Sequence, residues 1–315
     1  MPESFFIVSK DYLELATDEV ISITRSYDRF AKTQVFSNIV IVQSAIPWQT
    51  IARRATFVKI AGLLLRKLSN LFLDEDSYLL LQNSSTFSCR VINLSSDTSD
   101  TSELEKAMGS MISKFSQSKV SLNDPDLVVY LIFTEDDAFF GFSPKFIRNE
   151  RPRKIQGHPH ELDWKLCRAM INLSGLKEGE TVCDPFCGTG TTLLEANVLK
   201  INSVGIDFDK KMCDISKENI KANGFKSEIY NEDFAYMEKI ADLFDGIVTD
   251  IPYGKASKTS ENPEALLEKL ISKIPKRKKV AIMCKKGTEK NLKWSFAKQY
   301  EIYRHKSLTR VILVK

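Results

Sequence analysis

Thr181-Val182-Cys183-Asp184-Pro185-Phe186-Cys187-Gly188-Thr189-Gly190-Thr191-Thr192 is the stretch that decides how this chain is read. A short apolar run ends in an acid, a turn with two glycines follows, and a helical pattern opens at Thr191. Gly188 and Gly190 suit a tight turn that a ligand approaches closely, because neither carries a Cβ. The first N–H groups of the following helix lack intrahelical partners and can receive a carboxylate. Asp207 ends the next apolar run, 23 residues after Asp184. A nucleotide-binding sheet places a ribose-binding carboxylate at that offset; a helix N-cap is the other reading of Asp207. After a third run, Glu232-Asp233-Phe234 is either a plain acidic loop or a site for an adenine, with Asp233 accepting from its amino group and Phe234 packing on the ring.

A second motif, Thr249-Asp250-Ile251-Pro252-Tyr253-Gly254, lies at the end of a later strand. The exocyclic amine of a nucleobase is a poor nucleophile because its lone pair is delocalised into the ring. Two acceptors aimed at its hydrogens would hold it in line with an electrophilic methyl group. Asp250 can supply one and the carbonyl of Ile251 the other, and Asp250 can take the proton as the new bond forms. Pro252 restricts the loop and biases Ile251 towards extended geometry. Tyr253 offers a face for the target base.

Around these motifs the C-terminal half alternates strands with helices and closes on two β-like runs, Tyr300–Tyr303 and Leu308–Val314. This predicts a parallel sheet with helices on both faces and an antiparallel hairpin at its edge. The N-terminal half mixes strands and helices less regularly. Strands are expected at Phe5–Val8, Ile39–Val42, Phe87–Leu94, Leu127–Phe133 and Ala138–Phe142. Helices are expected at Asp11–Thr24, Trp48–Leu68 in two pieces, and Ser102–Phe115. Pro144–His160 is rich in Pro, Arg, Lys and Gly and marks the boundary between the halves.

The chain has 315 residues and a net charge of +4, with 43% hydrophobic residues. That composition suits a globular protein of about two domains. Residues 1–155 carry a net −1 and residues 156–315 a net +5, so an RNA-binding N-terminal half would need its basic residues gathered on one face. The candidates are Arg53-Arg54, Arg66-Lys67 and the cluster Arg148, Arg151, Arg153, Lys154; each is otherwise a solvated face or linker. Six scattered cysteines contain no CxxC pair, and His158-Pro159-His160 has no partner at ligand spacing, so no metal site is expected. No apolar run approaches the ~20 residues of a bilayer span, and Met1–Lys10 has no secretory pattern; a cytoplasmic protein is expected.

Taken together, the glycine turn and Asp-x-Pro-Tyr resemble the S-adenosylmethionine-dependent amino-methyltransferases of nucleic acids. More narrowly, the chain resembles the archaeal THUMP-domain tRNA (guanine-10-N2)-methyltransferase family, related to the eukaryotic catalytic subunit for the same guanosine. The residues that carry this are His158–Leu162, Ala169–Leu173, Asp184–Gly190, Lys306–Arg310 and, in the N-terminal half, Lys119–Pro125. The resemblance implies a Rossmann-like α/β methyltransferase domain preceded by an α+β ferredoxin-like plus THUMP tRNA-binding region. The implied division is 1–70 ferredoxin-like, 71–147 THUMP-like, 148–158 linker and 159–315 methyltransferase. On this view the C-terminal part from residue 156 binds cofactor unaided and needs the rest for tRNA. The resemblance also implies S-adenosylmethionine held by Asp184, Pro185, Phe186, Gly188, Thr189, Gly190, Asp207, Phe208, Asp233 and Phe234, and catalysis by Asp250, Pro252 and Tyr253. Arg148, Arg151, Arg153 and Lys154 would bind tRNA, and a small zinc-binding activator protein is a candidate partner. The family usually has Pro where this chain has Ile251. Guanosine 6 of tRNA, a DNA amine, or tRNA binding without catalysis are the alternatives.

Overall fold

The computed structural model describes residues 1–68, 84–96, 100–116, 118–145, 151–158, 161–252, 262–305 and 308–315. The chain forms two compact units. One comprises Met1–Leu13, Asp28–Arg53 and Val58–Arg148; the other comprises Glu14–Tyr27, Arg54–Phe57 and Asn149–Lys315.

The first unit is built on one sheet. Its strands are β1 (Glu3–Val8), β2 (Lys32–Phe36), β3 (Ile39–Gln43), β4 (Val58–Leu68), β5 (Thr86–Asn93), β6 (Lys119–Val120), β7 (Leu127–Phe133) and β8 (Ala138–Pro144). They lie in the order β2-β3-β1-β4-β8-β7-β5-β6, so strands from both 1–70 and 71–147 share a single sheet. β7 and β8 form the expected antiparallel hairpin, with Leu131 opposite Phe140. The helix Ser102–Phe115 packs Met108 and Ile112 onto Phe87, Val129 and Phe142.

The segment Trp48–Leu68 departs from its helical reading. Only Trp48–Arg54 is helix; Val58–Leu68 is β4, paired with β1 on one side and β8 on the other. A central strand is covered on both faces, so its apolar residues run on without alternating. Such a run imitates a buried helix in periodicity. β2 escapes sequence reading for the opposite reason: it is a largely polar edge strand whose outer residues face water.

The second unit carries the site. Its sheet contains β9 (Thr181–Asp184), β10 (Asn202–Asp207), β11 (Glu228–Asn231), β12 (Gly246–Asp250), β13 (Lys279–Lys285), β14 (Lys298–His305) and β15 (Leu308–Val314). Their order is β11-β10-β9-β12-β13-β15-β14. The first five run parallel, and β15 and β14 are antiparallel additions. The helices are α1 (Leu13–Tyr27), which precedes this sheet by some 150 residues, then α4 (Trp164–Leu173), α5 (Thr191–Val198), α6 (Lys210–Ala222) and α7 (Pro263–Lys273); α2 (Trp48–Arg54) and α3 (Ser102–Phe115) complete the chain order. α7 begins where its sequence says it should: Asn262 accepts from the N–H of Glu264, and Pro263 occupies the first turn. β9 connects to β10 on one side and has β12 on the other. The strand order therefore reverses at β9/β12, and a crevice opens beyond their carboxyl ends.

Candidate active site

The crevice is a cavity of about 420 Å3. Asp184, Phe186, Gly188, Thr189, Asp207, Phe208, Asp250 and Pro252 line it, so eight of the sequence-selected residues meet there. Pro185, Gly190, Asp233 and Phe234 are not among its lining residues. Tyr253 and Arg148 lie outside the described residues.

Asp184 is almost fully buried at the end of β9. Its Oδ1 accepts from the Phe186 N–H at 3.1 Å and from the Thr249 hydroxyl at 2.6 Å. Burial pushes its carboxyl up to about 6, against the opposing pull of these bonds. Thr249 directly precedes Asp250, so this bond ties the cofactor-side loop to the strand end that carries the second motif.

The glycine turn is fixed from below. Cys187 N–H donates to the Ile206 carbonyl at 3.0 Å, and Gly188 N–H donates to Asp207 Oδ2 at 2.9 Å. Asp207 Oδ1 accepts from the Asp209 N–H at 2.9 Å. The N-cap of α6 is Asp209, whose side chain accepts from Lys211 N–H; Asp207 is thus not the cap. A carboxylate offers about four acceptor positions. These loop N–H bonds hold the Asp207 carboxylate at the cavity wall.

Both glycines have positive φ, 50° at Gly188 and 84° at Gly190. Their reasons differ. A Cβ on Gly190 would sit 2.3 Å from Ser216 Oγ of α6, so this position is glycine for helix packing rather than for a ligand. A Cβ on Gly188 would meet no atom within 4 Å, and the residue lines the cavity. The absent side chain leaves that volume to the cavity. We expect Gly188→Val to weaken S-adenosylmethionine binding about tenfold or more, measured by calorimetry. We expect Gly190→Ala to lower the thermal unfolding temperature instead. Equal affinity in Gly188→Val and wild type would contradict this assignment.

The residues expected at the adenine, Asp233 and Phe234, do not line the cavity. Phe208 is 48% exposed at the cavity wall. Phe234 packs on Phe186, ring centroids 5.3 Å apart, behind a lining residue. Asp233 caps a short 3-10 turn, accepting from Ala235 N–H at 2.9 Å, which is the loop-acid reading.

Several site residues were not singled out from the sequence. Glu161 Oε2 accepts from the Lys154 ammonium, the His158 N–H and the Thr189 hydroxyl. Burial favours the neutral acid, but these donors prevail and hold the Glu161 carboxyl below its ordinary range. Lys154 also donates to Thr191 at the start of α5. Its ammonium is thus engaged by two residues that line the cavity, with only 13% of its side chain exposed, and it is not a free RNA contact. Buried Asn219 accepts from the N–H groups of Ile155 and Gln156 and donates to the carbonyls of Gln156 and Thr189. Asn223 makes the same kind of bonds to the backbone of Arg153. The segment 151–158, read as a linker, is sewn along α6 beside the glycine turn.

Arg310 is the other addition. It projects from β15, is 3% exposed, and pairs its Nη2 with Asp250 Oδ1. Burial draws the guanidinium down to about 10, which leaves it cationic at neutral pH. The pairing fixes one oxygen of Asp250, and among the described residues Oδ2 makes no hydrogen bond. Ile251 donates its N–H to the Met283 carbonyl at 2.9 Å and buries its side chain in a hydrophobic cluster with Ile247, Leu266 and Ile282. A proline at 251 would remove that donor, so the two residue types are not equivalent in this backbone.

The cavity brings five carboxylates, those of Glu161, Asp184, Asp207, Asp209 and Asp250, around a space the size of a nucleoside. S-adenosylmethionine carries a cationic sulfonium and an ammonium, and both suit that field. The open first turn of α5 suits its carboxylate. Fold, acidic cavity and strand-end Asp250 define an S-adenosylmethionine-dependent methyltransferase. The RMKL-like methyltransferase domain matches residues 148–309, just over half of the chain, and the chain belongs to that family. A DNA methylase model also matches, over residues 76–218. The tRNA (guanine(10)-N2)-dimethyltransferase of Methanothermobacter thermautotrophicus is 30% identical over 245 residues, covering 73% of this chain and 72% of that one. The human U6 snRNA (guanine-N(2))-methyltransferase THUMPD2 is 29% identical over 190 residues, 58% of this chain and 37% of that protein. The crystal structure of TrmN from Thermus thermophilus has the same fold, with a TM-score of 0.60, 18% identity and 99% of each chain covered. Among the described residues no helix is long and apolar enough to cross a membrane.

Proposed function

We propose that this protein methylates the exocyclic 2-amino group of guanosine 10 in tRNA, adding one methyl or two. The observation that carries the reading is Asp250, anchored by Arg310 at the carboxyl end of β12, in the same cavity as the glycine turn after β9. It is supported by the likeness to the archaeal guanine-10 enzyme along most of both chains. S-adenosylmethionine supplies an electrophilic methyl group and departs as the neutral thioether. Asp207 would hold its ribose, Phe208 would flank its base, and the α5 N-terminus would hold its carboxylate. Asp250 Oδ2 accepts from the guanine amine and orients its lone pair. As the N–C bond forms the nitrogen becomes cationic, and it loses its proton to Asp250 and then to water. Arg310 holds Asp250 in place and keeps it from retaining that proton. The amine of guanosine 10 lies inside a paired stem, so the nucleotide must be turned out of the helix to reach Oδ2. We assign tRNA capture to the THUMP-like segment 71–147, and leave a zinc-binding activator as an optional partner.

The test is methyl transfer from labelled cofactor to unmodified tRNA transcripts by the chain alone, followed by nucleoside mass spectrometry and mapping. N2-methylguanosine or its dimethyl form at position 10 is expected. Label at guanosine 6, in U6 RNA, or on adenine in DNA would replace the target while keeping the amine chemistry. No transfer to any nucleic acid would refute an enzyme.

A further inference from the structure

Beside the catalytic cavity lies a second pocket of about 350 Å3, which shares His158, Glu161, Leu162 and Thr191 with it. What sets the second pocket apart is Arg151, Trp164 and Arg304. Arg304 comes from the end of β14, the strand beside the one that carries Arg310. Arg151 comes from the segment along α6, and its guanidinium lies 5.3 Å from the centre of the Trp164 indole. The two arginines reach one pocket from points about 150 residues apart in sequence.

Two of the three acids around them are already ion-paired. Lys154 pairs with Glu161, and Glu195 pairs with buried Arg168 at 2.6 Å. The Asp163 carboxylate accepts the Lys165 N–H and caps α4. Arg151 and Arg304 are exposed, and neither makes an ion pair among the described residues. Two exposed guanidiniums, neither ion-paired among the described residues, line a polar pocket whose Glu161 and Glu195 are already paired with Lys154 and Arg168, and together they can receive an anion. Trp164 sets the position of one of them by cation–π contact.

We propose that Arg151 and Arg304 clamp a phosphodiester of the substrate RNA next to the target guanosine. This rests on the RNA-methyltransferase reading above. The pocket adjoins the cavity that would receive the flipped base, and the phosphates flanking a flipped nucleotide are the nearest anions such a substrate offers. The clamp narrows the basic cluster read from sequence: Arg151 acts, Lys154 is held by Glu161 and Thr191, and Arg304 is the second cation.

The experiment uses the full chain with Arg304→Glu, Arg304→Ala and Arg304→Lys, and with Arg151→Ala as an independent variant. Arg304 is exposed, so these proteins should fold as wild type does. tRNA affinity is measured against salt, cofactor affinity by calorimetry, and methyl transfer by label. Expected results are about tenfold weaker tRNA binding for Arg304→Glu and Arg304→Ala, partial retention in Arg304→Lys, and a salt slope shallower by about one phosphate. Cofactor affinity should stay at the wild-type value. An active wild type whose Arg304→Glu and Arg151→Ala variants keep full tRNA affinity and slope would overturn the clamp alone. Weaker cofactor binding with unchanged tRNA binding would also overturn it, because the anion would then be the cofactor's carboxylate. A wild type that neither binds nor methylates RNA would overturn the clamp and the function together.

Discussion

Asp250→Ala should lower the rate of methyl transfer about a hundredfold or more while cofactor affinity changes little. The carboxylate is asked to hold the amine most tightly as its nitrogen turns tetrahedral and gains charge, so its loss falls on turnover rather than on binding. Alanine also leaves the Arg310 guanidinium, 3% exposed, without its Asp250 contact. Removing one member of a buried pair costs ~3–5 kcal/mol in other proteins, and partial exposure of Asp250 should keep the cost below that. Unfolding must therefore be measured beside activity. Asp250→Asn separates the two effects. It keeps an oxygen for Arg310 and much of the stability, but loses the charge that draws the proton.

Arg310→Gln supplies the complementary result. Asp250 keeps its charge and loses its anchor, so turnover should fall about tenfold, with cofactor affinity near the wild-type value. If the two residues act as a unit, the double variant Asp250→Ala, Arg310→Gln should be no slower than Asp250→Ala alone. Additive losses would mean that Arg310 acts elsewhere. Wild-type turnover in a folded Asp250→Ala protein would remove Asp250 from the mechanism altogether.

What could be read from sequence was whatever depends on neighbours in the chain. The strand–turn–helix at Thr181–Thr192, the strand-end acids Asp207 and Asp250, the hairpin of β7 and β8, and α7 with its Asn-Pro start are all local patterns. The parallel sheet with an antiparallel edge followed from their alternation. The contacts that complete the site join distant residues and leave no local pattern. Arg310 reaches Asp250 across 60 positions, Asn219 reaches Gln156 across 63, and Thr249 reaches Asp184 across 65. Gly190 looked like a ligand position because its reason, Ser216, lies on the next helix. Lys154 reads as a linker charge because sequence does not show its bond to Thr191, 37 positions away.

The most consequential contacts of that kind join α1 to the methyltransferase unit, and they reverse an expectation drawn from sequence. A fragment of residues 156–315 should not fold cooperatively and should not bind cofactor. Every residue of α4 from Leu166 to Leu173 is buried, including Arg168 and Asn172, so the helix needs cover on all sides. Part of that cover is α1. Asn172 donates to Glu19 Oε1 at 2.8 Å and to the Arg54 carbonyl at 3.0 Å, and its own oxygen accepts from Arg54 Nε and Nη2 at 3.2 and 3.0 Å. Glu19 is fully buried; that burial raises its carboxyl even though the N–H groups of Thr56 and Phe57 bond it. Ser22 donates to the carbonyls of Asn172 and Leu173, and Asp18 accepts from Tyr300 on β14 at 2.8 Å. Cutting before residue 156 strips these partners from α4 and β14 and exposes their apolar faces. Within the full chain, Asn172→Ala should cost ~3 kcal/mol or more, because it leaves both Glu19 and Arg54 short of bonds in the interior. Asn172→Ala unfolding at the wild-type temperature would show that the network contributes little. A fragment 156–315 that melts cooperatively and binds S-adenosylmethionine with the affinity of the full chain would show that α1 is dispensable.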